Sequence, residues 1–199
     1  MLPRLVRRSC GSKGVRRERA KVVPLAEGVV LDVGIGPGLN LPFLDPDRVR
    51  HVVGIDPSEA IVALGRPLFE AATVPVEVVT GGAEEMPFEG DHFDTAVLAY
   101  TACTIPRAEE ALCEIRRVLK PSGQLLFVEH GRAPDAGVAR WQDRIDGLWG
   151  LVSGGCHLNR DIGLLVRGAG FELEELHTYY ARGFPRFAGF HYRGVARSG

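Results

Sequence analysis

The sequence predicts an α/β fold: a single domain built on one open, doubly wound sheet of about seven strands, mostly parallel with an antiparallel C-terminal strand. Three observations predict it. The 199 residues fit one domain. Apolar, strand-like runs alternate with helical patterns over residues 29–130, as in parallel α/β sheets. Two runs with period-two alternation end the chain, as in an antiparallel pair. Right-handed crossovers then place helices on both faces of the sheet.

Seven short runs predict the strands. Five of them are apolar, as expected for strands that are buried on both faces. They are residues 29–33, 51–55, 76–79, 95–99 and 124–129. The antiparallel pair is predicted at residues 171–179 and 190–196.

Helices are predicted between these strands from their caps and breakers. One is expected to start near Leu39, and Pro57-Ser58 opens the next. Residues 108–119 have helical spacing, and Pro121-Ser122-Gly123 ends that helix. Residues 138–152 predict a longer helix, and Asn159 caps a last one that ends by residues 168–170.

Charge is distributed unevenly along the chain. The net charge of −1 does not indicate nucleic acid as a partner. Residues 1–21 are nevertheless basic, with Glu18 as the one acidic residue. Their cations are Arg4, Arg7, Arg8, Lys13, Arg16, Arg17, Arg19 and Lys21. This segment is either a solvated helix face or a contact for an anionic ligand or membrane surface.

Cysteine usage and hydropathy predict a cytoplasmic protein. Cys10, Cys103, Cys113 and Cys156 form no C-x-x-C pair, so the spacing predicts neither a disulfide framework nor a zinc site. A reducing compartment suits such a chain. No apolar run approaches the ~20 residues of a membrane-spanning helix. Arg7-Arg8 lacks the apolar stretch of an export signal.

Ligands of doubly wound sheets bind beyond the carboxyl ends of the strands, where the strand order reverses. The segments that follow the predicted strands are therefore the candidate site. They are Gly34 to Gly38, Asp56, residues 82–85, Tyr100 and His130.

The first of these segments has three alternate glycines. Gly34, Gly36 and Gly38 give a turn without side chains, where bare backbone can approach a nucleotide-like ligand. The alternative is a simple tight turn between strand and helix. Dinucleotide-binding loops have the pattern G-x-G-x-x-G, with pyrophosphate at the helix start. Here the third glycine comes one residue early, which suits a ligand without pyrophosphate.

The next two segments are suited to a nucleoside. Asp56 ends the second strand, where a carboxylate accepts ribose hydroxyls or caps the Pro57-Ser58 turn; both roles can hold together. In the following loop, the Ala83 amide or the Glu84 side chain is placed to contact the edge of a base. Met86 either covers a ring face or packs in the core.

Taken together, these motifs resemble those of class I methyltransferases of the small-molecule type, which have a Rossmann-like fold. The resemblance covers residues 29–129. It rests on residues 30–38 (VLDVGIGPG), 54–58 (GIDPS), 85–88 (EMPF), 93–94 (FD) and 117–123 (RVLKPSG).

A narrower resemblance, to methyltransferase-like thiol S-methyltransferases and their bacterial relatives, covers nearly the whole chain. It adds residues 19–25 (RAKVVPL), 38–42 (GLNLP), 128–130 (VEH), 141–142 (WQ) and 154–160 (GGCHLNR). It implies S-adenosylmethionine as cofactor, with the glycine loop at the methionine part, Asp56 at the ribose and Glu84 near adenine. Gly82 stands where many relatives have an acidic residue. The implied cofactor residues are Asp32, Gly34, Gly36, Gly38, Asn40, Asp56, Pro57, Ala83, Glu84 and Tyr100.

Methyl transfer is an in-line displacement on a sulfonium, so the protein mainly orients the reactants and excludes water. A base is needed only where the acceptor must lose a proton. His130 is the candidate base, or it hydrogen-bonds the backbone; Tyr100 is the candidate residue along the methyl path. Cys103 is expected to be a small buried residue, and His157 is a candidate substrate contact.

The resemblance predicts a small thiol as acceptor. A phospholipid amine or a phenolic metabolite remains an alternative, as does a protein that binds S-adenosylmethionine without catalysis. A nicotinamide-dependent oxidoreductase is disfavoured by the glycine spacing and by the absence of a Tyr-x-x-x-Lys pair. Residues 1–25 are predicted to form a basic helical arm that covers the cofactor as a lid, and residues 26–199 to form the methyltransferase domain.

Overall fold

A computed structural model describes residues 10–198, and its central feature is a seven-stranded sheet with the order β3-β2-β1-β4-β5-β7-β6. This confirms the predicted fold class. The strands are β1 (Gly28–Val33), β2 (Val49–Asp56), β3 (Val76–Thr80), β4 (Phe93–Ala99), β5 (Leu119–His130), β6 (Glu172–Tyr180) and β7 (Phe190–Arg197).

Strand direction defines the functional edge of the sheet. Strands β1 to β5 pair in parallel, whereas β7 pairs antiparallel with both β5 and β6. From β1 the chain first builds outward to β2 and β3, and then returns to place β4 on the other side of β1. The strand order therefore reverses between β1 and β4, which is where doubly wound sheets bind ligands.

Six helices lie among the described residues. They are α1 (Lys13–Arg19), α2 (Glu59–Ala63), α3 (Arg66–Glu70), α4 (Ala108–Val118), α5 (Ala136–Ser153) and α6 (Ile162–Gly168). Single 3-10 turns occur at Val23–Leu25, Leu41–Phe43 and Arg186–Ala188. Within residues 10–198, no helix combines the length and apolar composition that crossing a bilayer requires.

Two apolar clusters pack on opposite faces of the sheet, because successive side chains of a strand point to opposite sides. In β1, Leu31 belongs to the larger cluster and Val30 to the smaller. The larger cluster includes apolar side chains of α4 and α6. The smaller one is covered largely by residues 22–26 and 41–44, which form 3-10 turns rather than α-helices.

The helix predicted to start near Leu39 does not form. Only the 3-10 turn Leu41–Phe43 forms there, and Leu44 is already extended, with ψ 139°. Pro42 supplies no amide hydrogen, and Pro46 disfavours helical geometry at the residue before it. The ten residues between Gly38 and β2 therefore form turns, and Phe43 and Leu44 pack on the smaller cluster.

Two further boundaries also differ from the prediction. The last helix is capped by Asp161 rather than Asn159, since the Asp161 carboxylate accepts a hydrogen bond from the Leu164 amide at 3.0 Å. Helix α4 ends at Val118, and residues 121–123 lie inside β5, where the pairing with β4 shifts register. The Pro-Ser-Gly turn is thus accommodated as an irregularity of the strand.

Candidate active site

The glycine loop after β1 has the backbone that its sequence predicts. Gly34, Gly36 and Gly38 all have positive φ, at 67°, 48° and 73°. A Cβ atom at Gly34 would lie 2.3 Å from Thr101 Cγ2, so no side chain fits there. The loop is held against β2 by the Gly34 amide, which donates to the Ile55 carbonyl at 2.8 Å.

A buried polar chain lies beside this loop. Asp32 Oδ1 accepts from Asn40 Nδ2 at 2.8 Å, and Asn40 Oδ1 accepts from Arg19 Nε at 2.8 Å. The Arg19 guanidinium also lies 5.1 Å from the centre of the Tyr100 ring. Burial raises the pKa of Asp32 to about 7, although Asn40 and Arg19 oppose the shift. Arg19 therefore joins α1 to the ends of β1 and β4.

Asp56 ends β2 with its carboxylate turned back to the glycine loop. Oδ2 accepts from the Gly36 amide at 3.0 Å, and Oδ1 accepts from the Ser58 amide at 2.8 Å. Burial raises the pKa of this group, and the two amides lower it. The predicted contact with the Pro57-Ser58 turn is confirmed, and the same carboxylate lies against the glycine loop.

The loop after β3 supplies one small buried residue and one partly buried carboxylate. Ala83 is buried, and Glu84 is half-buried with Oε2 3.0 Å from where a Cβ at Gly82 would lie. The absence of a side chain at Gly82 thus leaves room for Glu84. Met86 belongs to the larger core cluster, which corresponds to the packing alternative for this residue.

Tyr100, directly after β4, has a strained backbone. Its φ is +58°, which is uncommon for an aromatic residue and costs of the order of 1–3 kcal/mol. In this conformation the ring lies under the Arg19 guanidinium, and its centroid is 5.7 Å from that of the His191 ring. Burial raises the pKa of Tyr100, so the phenol stays protonated and can donate a hydrogen bond.

A row of polar rings crosses the three strands beside Tyr100. His191 in β7 is paired with His130 in β5 on one side and with Tyr179 in β6 on the other. Directly opposed residues of antiparallel strands project to the same face. The His191 Nδ1–H donates to the Gly189 carbonyl at 2.8 Å, and burial lowers the pKa of this histidine to about 4. We call His130, His191 and Tyr179 the ring row.

The chain crosses above the ring row as α1. Glu18 is buried, accepting from Lys21 Nζ at 2.6 Å and from the Tyr179 hydroxyl at 2.5 Å. Burial raises the pKa of Glu18, but the hydrogen bonds from Lys21, Tyr179 and Arg17, with the Lys21 charge, lower it by more, so the net shift is downward. Helix α1 therefore contacts the sheet at two places, through Glu18 at β6 and through Arg19 at the end of β4. The predicted arm cations Arg4, Arg7 and Arg8 lie outside the described residues.

His130 has a neighbour that the sequence spacing did not indicate. Its Nε2 lies 3.1 Å from Cys156 Sγ, and Cys103 Sγ lies within 4.8 Å of that sulfur and of a ring nitrogen of His130. The Cys103 thiol and the His130 ring lower the pKa of Cys156, whereas contact with Cys156 and burial raise that of Cys103. Burial lowers the pKa of His130, but Cys156 and the nearby carboxylates raise it by more.

His157 lies next to this group but is tied to α5. Its Nδ1 lies 2.7 Å from Asp146 Oδ2, and its amide donates to the Cys103 carbonyl at 2.8 Å. His157 therefore holds the Cys156 turn in place through two contacts that do not involve a substrate.

Comparison with known proteins decides the family. A protein-family sequence model, described as a methyltransferase domain, matches residues 31–127. A phosphatidylethanolamine N-methyltransferase from Cereibacter sphaeroides is 34% identical over 147 residues, which cover 71% of this chain and 71% of that protein. This chain belongs to the class I S-adenosylmethionine-dependent methyltransferases.

Other methyltransferases are similar over a smaller share of their length. A ubiquinone/menaquinone biosynthesis C-methyltransferase from Roseobacter denitrificans is 31% identical over 125 residues, 61% of this chain and 50% of that protein. A thiol S-methyltransferase from Rattus norvegicus is 30% identical over 139 residues, 68% of this chain and 56% of that protein. The chain thus spans about half the length of these two relatives. The three names indicate carbon, nitrogen and sulfur acceptors, so kinship does not select the acceptor.

The fold of the methyltransferase is shared along its whole length with solved structures. A methyltransferase from Aquifex aeolicus superposes with a TM-score of 0.68 at 20% identity, over 99% of this chain and 98% of that one. At this identity the similarity shows the fold alone.

The carboxyl edge of the methyltransferase fits S-adenosylmethionine. Within residues 10–198, seven buried side-chain nitrogen or oxygen atoms have no hydrogen-bond partner, and five of them lie around this edge. These are Asp32 Oδ2, Tyr100 Oη, Glu129 Oε2, His130 Nδ1 and His191 Nε2. Buried polar groups are nearly always paired, so such a concentration indicates a place for a polar ligand. When bound, the cofactor supplies the reactive methyl group.

Two residues of this edge were missed as site residues. Arg19 reads in the sequence as one of eight cations in a basic arm, and only the fold buries it over Tyr100. Glu129 is fully buried and accepts from the Thr101 and Ala102 amides at 2.6 and 2.9 Å, which fixes the loop after β4. The signal for Glu129 was available: it is a carboxylate at the end of the apolar run 125–128.

Proposed function

We propose that this methyltransferase transfers the methyl group of S-adenosylmethionine to a small thiol. The observation that supports a small acceptor is that α1 covers the carboxyl ends of the strands. Tyr100 and the ring row lie beneath α1, and Tyr100 Oη, His130 Nδ1 and His191 Nε2 are left without partners among the described residues. Polar atoms enclosed in this way suit a small ligand, and leave little access for a polymer.

The proposed roles follow the positions in the fold. The loop from Gly34 to Gly38, with Asp32 and Asn40, holds the methionine part of the cofactor. Asp56 and Pro57 hold the ribose, and Ala83 and Glu84 the adenine. Tyr100 and His130 lie beside the methyl path. A thiol with a pKa near ~8.5 needs little help to ionise, so the site is required mainly to orient the two sulfur atoms and exclude water.

A methyl-transfer screen tests the proposal. Labelled S-adenosylmethionine is incubated with the protein and with small thiols, phenols, amines or phosphatidylethanolamine vesicles, and methylated products are identified by mass spectrometry. We expect labelled thioethers, and none with the Asp56→Ala variant. Transfer confined to another acceptor class would contradict the thiol assignment. Cofactor binding without any transfer would favour the non-catalytic alternative.

A phospholipid amine is the second candidate, because α5 exposes an apolar face. Four side chains on one side of this helix are 51–80% exposed: Trp141, Leu148, Leu151 and Val152. At ~100° per residue, exposed Arg140 and Arg144 fall on the same side, whereas Asp143 and Asp146 do not. Aromatic and leucine side chains with flanking arginines suit the interface of an anionic membrane. This helix leads into the turn that holds Cys156.

Vesicle flotation tests whether α5 binds a membrane surface, which the second candidate requires. We expect the protein to float with phosphatidylglycerol vesicles, and the Leu148→Ser/Leu151→Ser variant to bind at least about tenfold more weakly, since each leucine is worth roughly 1.5–3 kcal/mol when buried. Leu164→Ser is the matched control, because Leu164 is 65% exposed but lies on α6. A concentration-dependent dimer that the double variant abolishes would assign the face to a second copy instead.

The cytoplasm remains the proposed compartment. All four cysteines lie in the described part of the chain and are free thiols, which supports a reducing environment.

A further inference from the structure

Three side chains at the functional edge bring soft or borderline metal-ligand atoms close together. Cys103 Sγ, Cys156 Sγ and one ring nitrogen of His130 all lie within 4.8 Å of one another, and His130 Nε2 is 3.1 Å from Cys156 Sγ. They come from three separate segments: the loop after β4, the end of β5 and the glycine turn after α5. Both cysteines are buried. Linear spacing could not indicate this group, because its members are 26 to 53 residues apart.

The surrounding fold holds this cluster in place. The His157 amide donates to the Cys103 carbonyl at 2.8 Å, which ties the turn after α5 to the loop after β4. Arg160 reinforces the same junction, since its Nη1 donates to the carbonyls of Ala102 and Ile105. The Leu158 amide donates to Asp146 Oδ1 at 2.7 Å. The ligand atoms are therefore carried by backbone that is fixed from several sides.

We propose that Cys103, Cys156 and His130 bind a borderline-soft divalent cation, with Zn²⁺ as the physiological ion. Zn–S and Zn–N bonds of ~2.3 and ~2.0 Å place the ligand atoms of a tetrahedral site roughly 3.5–3.8 Å apart. The 3.1 Å contact and the 4.8 Å limit bracket that range. Small side-chain rotations complete the site. Two thiolates and one imidazole are a known zinc ligand set that leaves a fourth position open.

The open position gives the cation a role in the proposed reaction, and this step rests on the proposed function. A small thiol that binds as fourth ligand loses its proton to solvent, because coordination to zinc deprotonates a thiol. Its sulfur then forms the bond to the methyl carbon. The carbon–sulfonium bond breaks, and its electron pair stays on the departing thioether sulfur. No oxidant or reductant is involved.

Cobalt substitution tests the site without relying on catalysis. The full chain is stripped with a chelator and titrated with Co²⁺, whose thiolate-to-metal and visible absorption bands report tetrahedral sulfur ligation. We expect one ion per chain, displaced by Zn²⁺. Cys103→Ser and Cys156→Ser are each expected to weaken binding by more than about a hundredfold, beyond the 10–100-fold typical of outer-shell partners. Cys113→Ser is the matched control, because this thiol is exposed on α4 and is not part of the cluster.

Each outcome decides one part of the proposal. Failure of the wild-type chain to bind Co²⁺ or Zn²⁺ at micromolar concentration overturns the metal site, and this result does not depend on how either variant folds. Binding that survives in both serine variants overturns the ligand assignment. An absorption spectrum that does not change when a small thiol is added overturns the open-position role. Metal binding without methyl transfer to any thiol would refute the proposed function and leave the metal site intact.

Discussion

At the scale of single residues, the edge of the sheet is built from groups that are costly to bury. Asp32 and Glu129 are both fully enclosed carboxyls, and burial raises the pKa of each to about 7. Tyr100 keeps an uncommon positive φ. Such features persist only where the surroundings enforce them, and they tend to concentrate at functional sites. Here they coincide with the carboxyl ends of β1, β4 and β5.

Asp32 gives a pH prediction. Between pH ~4 and ~7 its carboxyl is ionised in the unfolded chain but protonated when folded, so the folded state holds more protons. The free energy of unfolding therefore falls with rising pH, by up to ~1.4 kcal/mol per unit from this group. Arg19 and Asp56 are the charged groups that face it. We expect the Asp32→Asn variant to lose this dependence and to gain stability relative to wild type as the pH rises.

Thermal melts of both proteins at pH 5, 6 and 7, without cofactor, measure this effect. Asp47→Asn is the control, because Asp47 is exposed. Parallel melting curves of wild type and Asp32→Asn across the range would contradict the prediction.

Gly34 gives a steric prediction. Alanine at this position would keep a φ of 67° and bring its Cβ to 2.3 Å from Thr101 Cγ2. We expect Gly34→Ala to lower the free energy of unfolding by about 2 kcal/mol and to weaken S-adenosylmethionine binding at least about tenfold. Gly137→Ala is the control, since beyond its chain neighbours and the local helix backbone no atom of the described residues lies within 4 Å of its added Cβ. Calorimetric affinities that are equal for the two variants would disprove the role of the loop.

At the scale of elements, α1 is the least predictable part of the site. The segment reads as a basic arm, yet its function in the fold depends on two buried residues. Arg19 contacts the Asn40 side chain and the Ala99 carbonyl, while Glu18 contacts Tyr179 of β6. The helix therefore joins the two halves of the sheet above the site. These contacts support the lid predicted for residues 1–25 only over its described part, residues 10–25.

Substitution of Arg19 tests the lid. Arg19→Met keeps the apolar stem but removes the guanidinium, so Asn40 Oδ1 is left buried without its donor. We expect a loss of about 2–3 kcal/mol in stability and a higher dissociation constant for S-adenosylmethionine. Arg16→Met, on the exposed side of the same helix, is the control and should change both quantities little. Unchanged cofactor affinity in Arg19→Met would contradict the lid.

At the scale of the whole molecule, one sheet combines a parallel half that carries the glycine loop and Asp56 with a β6–β7 hairpin that adds His191 and Tyr179 of the ring row. The register of β5 with β7 places His130 opposite His191, so this side of the edge is built by strands far apart in sequence. Deletion of either half would leave the edge incomplete.

Ligand-induced stabilisation tests the cofactor assignment of the whole protein. A ligand at 100 times its dissociation constant adds about 2.7 kcal/mol, which for a chain of this size raises the melting temperature by roughly 5–10 °C. We expect this shift with S-adenosylmethionine and none with NAD, because the short glycine loop does not suit a pyrophosphate. A larger shift with NAD would overturn the assignment.

The predicted strands were confirmed because burial on both faces leaves a strong local signal in apolar runs. The cofactor loop was predictable for a similar reason: alternate glycines and a strand-ending Asp56 are local patterns with a physical cause. The prediction of a helix near Leu39 was wrong because Pro42 and Pro46 prevent the helix that commonly follows a glycine loop. The cap at Asn159 was wrong because Asp161 competes for the same role two residues later.

The sequence by itself determined the fold class, the cofactor and the edge of the sheet where a ligand is expected, since each depends on patterns of contiguous residues. Only the tertiary structure decided which distant side chains meet there. It placed Arg19 over Tyr100, His130 opposite His191, and Cys103 beside Cys156. These contacts arise from strand register and loop closure across 53 to 81 residues of chain, where sequence spacing carries no geometric information.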